Sequence, residues 1–140
     1  MKVTISDEEL VDHKVSETHL QQAADSIHND GYVVLENVVP HHKLDILRQK
    51  MLEDLQTLVS AKEKVMPINF VKGHIQQDAP PYAPYIFREL VANPFVTQVT
   101  HKVLGDGLYN NYFSGNTNLP GSGTQPVHVD TGQLWQNLRV

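Results

Sequence analysis

Apolar and polar positions alternate along this chain with two periods, and the longer period is the clearer one. Leu44, Leu47, Met51, Leu55 and Leu58 recur at three- and four-residue steps, with Lys, Glu, Asp and Gln between them. That spacing predicts an amphipathic helix opening at Pro40, ordinarily one packed on a sheet and otherwise one that binds a partner. A second helix is predicted from Ser16. Leu20, Ala23, Ala24 and Ile27 share a face, Thr18 and Gln21 have capping-box spacing, and Gly31 can close the end. Asn93-Pro94 reads as an N-cap followed by proline at the first helical position. Phe95, Val96, Val99 and Val103 form that helix's apolar face, and Gly105 ends it. Ile86 to Ala92 is expected to form a short helix.

The strand signals are shorter. "YVVLENVV" is β-branched and aromatic, and Pro40 breaks it. "INFVKGHIQ" reads as a strand with an irregularity at Gly73. "LYNNYFSGN" and "QPVHVD" read as strands, with "DAPPYAPY" and "NLPGSGT" as loops. Asn116, Thr117 and Asn118 look like turn formers. The order predicts an α+β protein with its helices packed on a sheet that is only beginning as the sequence ends. Residues 1–15 are expected to be an acidic, flexible leader, and 16–140 a single domain.

Composition narrows the classes. A hydrophobic content of 40% supports a packed core, and no apolar run approaches the length of a membrane span. Residues 1–30 hold seven acids and two bases, which accounts for the whole net charge of −5. No basic stripe is present, which argues against nucleic-acid binding. Cysteine is absent, so a metal site here must use His, carboxylate, amide or water. The same absence, with no signal-like apolar segment at the start, leads to the expectation of a cytoplasmic protein.

His128 and Asp130 are the candidate chemistry. On a strand, residues two apart share a face, so His-x-Asp aims an imidazole and a carboxylate at one point. Iron(II) with open coordination positions is typically held by two His and one carboxylate. The pair supplies two of those three ligands. Spacing alone is a weak signal in a chain with eight His and sixteen acids. Lys72 and His74 flank Gly73 on a strand expected to approach such a site, and exposed strand residues are their ordinary reading. Trp135 can wall a cavity or simply be buried.

The order of "DGYVVLENVV", a long amphipathic helix, "VKGHIQQDAPPYAPYIFRELVANPFV" and "GNTNLPGSGTQPVHVDTGQLW" resembles the phytanoyl-CoA dioxygenase family over roughly residues 16–140. The resemblance implies a double-stranded β-helix (a jelly-roll, cupin-like fold), here incomplete at its C-terminal side. It implies iron(II) as metal, 2-oxoglutarate as co-substrate and hydroxylase-type oxidation of a small lipid-like or secondary-metabolite substrate. His128 and Asp130 match the family's metal pair. Gln125 falls where some members contact the co-substrate, with Lys72 assigned beside it. His74 and Trp135 are assigned to the substrate pocket. The departure lies in "TGQLWQNLRV", which holds no second ligand His and no Arg that matches the family's 2-oxoglutarate partner.

The expectation is therefore the N-terminal portion of such an oxygenase, inactive by itself. Two other readings stand beside it. One is a non-catalytic remnant that binds or pairs with another subunit, as a homo-oligomer or with a complementary chain. The other is a cupin-like metal protein without 2-oxoglutarate.

Overall fold

A computed structural model of the chain describes residues 1–60, 72–111 and 113–128. The first strand, β1 (Lys2–Thr4), leads into α1 (Asp7–Asp12) and α2 (Glu17–Asp30), then into β2 (Val34–Glu36). β1 and β2 pair in parallel, with Val3 opposite Leu35. A parallel pair needs a crossover between its strands, and the two helices supply it. The outer face of the pair is held by Glu36, whose carboxylate accepts from Lys2 Nζ at 2.7 Å and Thr4 Oγ1 at 2.8 Å.

Residues 1–15 correct the expectation of a flexible leader. Val3, Ile5 and Val15 are almost fully buried, and with Ala23, Phe95 and Val99 they make the core cluster. The acids around them are the solvent face of ordered elements. Ser6 caps α1 and Glu9 completes a capping box.

α2 begins at an N-cap on Ser16 rather than Thr18, and Gly31 closes it in the left-handed conformation, its N–H bonded to the Ile27 carbonyl. Its small residues Ala23 and Ala24 are buried against α5 (Pro94–Leu104). Asn93 caps α5 as expected, accepting from the Phe95 and Val96 N–H groups. The same buried side chain donates to the Val38 and Glu89 carbonyls, so it fixes α5 against the turn after β2. Gln98 ties α5 to the first residues of the chain, accepting from the Val15 N–H and donating to the His13 carbonyl, both at 3.0 Å.

Between these come α3 (His41–Ser60), β3 (His74–Gln76) and α4 (Arg88–Val91), and β4 (Asn116–Asn118) follows α5. β3 and β4 pair antiparallel, with Ile75 opposite Thr117. α3 has the predicted apolar stripe, of which Leu47 is buried. The stripe borders Gln77, just after β3, and Thr117 of β4. Gln77 makes the join: its amide donates to the Met51 carbonyl at 2.7 Å and accepts from Thr117 Oγ1 at 2.8 Å. Among the described residues the fold is thus mixed helix and strand, with two two-stranded sheets. No helix among them is long and apolar enough to cross a membrane.

Two strand expectations are corrected. Residues 108–111 and 113–115 are irregular, and the strand falls on Asn116–Asn118, the residues expected to turn. The register is set from outside that segment. The Gly115 carbonyl takes the Gln77 N–H at 2.8 Å, and Leu119 N–H bonds the Gly73 carbonyl at 2.9 Å. Those anchors override local β propensity. Residues 125–128 of "QPVHVD" are also irregular. Pro126 has no N–H to give a ladder, and its carbonyl is taken by the His128 ring.

Candidate functional site

The loop that carries the candidate ligand is anchored on β3. After β4 the chain turns at Pro120-Gly121, with Ser122 N–H bonded to the Leu119 carbonyl at 3.0 Å. It then runs back over the start of β3, where the Gly123 N–H meets the Lys72 carbonyl at 3.0 Å. Gly73 permits this approach. Its φ is +80°, and a Cβ there would lie 2.9 Å from Ser122 Cβ and 3.0 Å from Ser122 Cα. Both the backbone conformation and the space require glycine.

His74 locks the contact. It is 5% exposed, and its Nε2–H donates to the Gly123 carbonyl at 2.7 Å. The expectation of an exposed strand residue is corrected: the alternation of β3 turns this ring inward, beneath the loop. Lys72 is exposed, and its backbone carbonyl is what joins the loop. Gln125 is half-buried two residues past Gly123.

His128 is exposed, and its Nδ1 lies 2.7 Å from the Pro126 carbonyl. A carbonyl only accepts, so Nδ1 carries the proton. Asp130 and Trp135 lie outside the described residues, so the structure leaves the geometry of the His-x-Asp pair aside. Among the described residues no three His, Asp or Glu side chains converge as a metal site.

A second polar cluster went unnoticed in the sequence. Glu9 is buried, and its carboxylate accepts from the Ser16 N–H at 2.6 Å, the Ser6 N–H at 2.9 Å and His19 Nδ1–H at 2.9 Å. Burial, the largest single influence, raises its pKa. The backbone and side chain of Ser16, the backbone of Ser6 and His19 outweigh burial and hold the carboxyl down at about 2. The Ser6-to-Glu9 spacing was the available signal, but it sits inside a segment whose acidity argued for solvent.

No protein-family model matches this chain.

Proposed function

We propose that the chain is the iron(II)-binding front portion of a 2-oxoglutarate-dependent oxygenase built on a double-stranded β-helix. It would act in the cytoplasm on a small organic or lipid-like substrate. The observation that carries this reading is the segment order ending in "GNTNLPGSGTQPVHVD", with His128 and Asp130 at its end.

In this reading His128 Nε2 and the Asp130 carboxylate hold the metal, and Gln125 and Lys72 lie on the co-substrate side. His74 keeps the preceding loop on β3, and Trp135 closes the substrate side. Bound iron with 2-oxoglutarate and dioxygen supplies the oxidation of an unactivated C–H bond. The protein's own share is to orient two donors and to keep water from the reacting groups. The third ligand and the basic partner of 2-oxoglutarate have no counterpart between Thr131 and Val140, so the 140-residue chain alone is expected to bind metal weakly and turn over nothing.

The test is a titration of the chain with cobalt(II), a spectroscopic substitute for iron(II), beside His128→Ala and Asp130→Ala. The reading requires that both substitutions abolish the cobalt absorption seen with the unsubstituted chain. Equal binding by all three chains would sink it. A non-catalytic subunit-pairing module is the second reading. It is favoured by α3, where Leu44, Ile46, Leu52 and Val59 are each exposed by more than a third. Metal-independent self-association of the full chain, weakened by Leu52→Glu, would select it.

A further inference from the structure

A cavity of about 550 Å³ opens where α1 ends, between the β2–α3 link, α4 and the start of α5. Its size is that of a small-molecule site. Leu10, Val38, Val39, Pro94 and Phe95 line it with apolar surface. Phe95 is buried, and Leu10 and Val38 pack on the core, so this surface is a rigid wall.

The mouth carries charge. Arg88 lines the cavity and is exposed, and its guanidinium makes no hydrogen bond or ion pair among the described residues. Its neighbour Glu89 is neutralised by Lys43, Nζ to Oε1 at 2.6 Å, and that hydrogen bond holds the Glu89 carboxyl below its usual range. Arg88 also acts on Glu89 through space, but with Lys43 holding that carboxylate the guanidinium keeps its hydrogen-bond donors unused at the mouth. A planar guanidinium with its donors unused matches a carboxylate in two-pronged fashion.

The rim is formed at two turns of the chain. Among the described residues, His13 (φ 51°) and Asn37 (φ 68°) are the non-glycine residues in the left-handed region, and both line this cavity. His13 does so as the C-cap of α1 and Asn37 in the turn after β2, so two chain reversals shape the rim.

We propose that this cavity binds a small amphipathic carboxylate, with its apolar chain against Phe95 and Val38 and its carboxylate on Arg88. The site lies on the helical side of the chain and does not depend on the metal reading. It would hold a bound organic acid, as a ligand in its own right or as a regulator.

The experiment is a titration of the isotope-labelled 140-residue chain with octanoate, followed by amide NMR shifts, beside octanol (no charge) and butyrate (little tail). Octanoate is expected to bind saturably and to shift Asn37, Val38 and Phe95, with octanol and butyrate weaker. Arg88→Gln, an exposed change that leaves the core untouched, is expected to weaken octanoate about tenfold or more while octanol binding stays the same. The proposal is overturned by the absence of saturable octanoate binding. It is equally overturned by wild-type affinity in Arg88→Gln, or by shifts that map to the α3 face around Leu52 instead.

Discussion

His74 and Gly123 are 49 positions apart in sequence, and the imidazole donates to the glycine carbonyl at 2.7 Å. His74 is buried but Gly123 is exposed, so removing the imidazole leaves a carbonyl that water can reach. A hydrogen bond whose acceptor can turn to water is worth about 0.5–1.5 kcal/mol. His74→Leu is expected to destabilise the chain by that amount and to speed amide exchange at Ser122 and Gly123 selectively. Uniform exchange across the chain would show that the bond holds no loop.

Gly73 and Gly31 both have φ near +80°, but a Cβ meets Ser122 at the first and nothing within 4 Å at the second. Gly31→Ala therefore tests conformation alone and should cost about 1 kcal/mol. Gly73→Ala adds the clash and should cost about 2 kcal/mol more. Urea midpoints of the two variants measure the difference. Equal costs would mean that the loop shifts freely away from β3.

Glu9 makes stability depend on acid. Its carboxyl is lowered from 4.5 to about 2 by folding, so the stabilisation is complete above pH 4.5 and is lost as pH falls towards 2. The integrated loss is about 2–3 kcal/mol. Denaturation followed between pH 5.5 and 2.5 should show it. Glu9→Gln should flatten the profile over that window while lowering stability at neutral pH.

Removal of residues 1–15 takes Val3, Ile5 and Val15 from the core. Each buried aliphatic side chain is worth about 1.5–3 kcal/mol, and a domain's net stability is only about 5–15 kcal/mol. A chain starting at Ser16 is expected to show no cooperative melt by circular dichroism. A melt like that of the full chain would restore the leader reading.

These residues also show what the sequence could and could not convey. Leu20, Ala23, Ala24 and Ile27 announced α2, and Asn93-Pro94 announced α5, because caps and helical periodicity are local. Val3, Ile5 and Val15 did not stand out. They are single apolar residues among acids, and their partners Phe95 and Val99 are far along the chain. β4 was displaced for the same reason: Gly73 and Gly115 set its register, and neither contact shows in the residues that make the strand. At the candidate site, the motif at His128 and the glycine at position 73 were legible. The burial of His74 beneath Gly123 was not, since it depends on which way a three-residue strand faces.

The hydrogen bond from the Val15 N–H to Gln98 spans 83 positions, and this bears on how the chain is made. A ribosome adds about 5–20 residues per second, so Val15 waits roughly 4–17 s for Gln98. Through that interval Val3, Ile5 and Val15 lack Phe95 and Val99, and β1 lies on an open edge even once β2 has emerged. The nascent chain therefore carries this part of its future core uncovered through that interval. A holdase at the tunnel mouth would meet that apolar surface, shielded by the acids of α1.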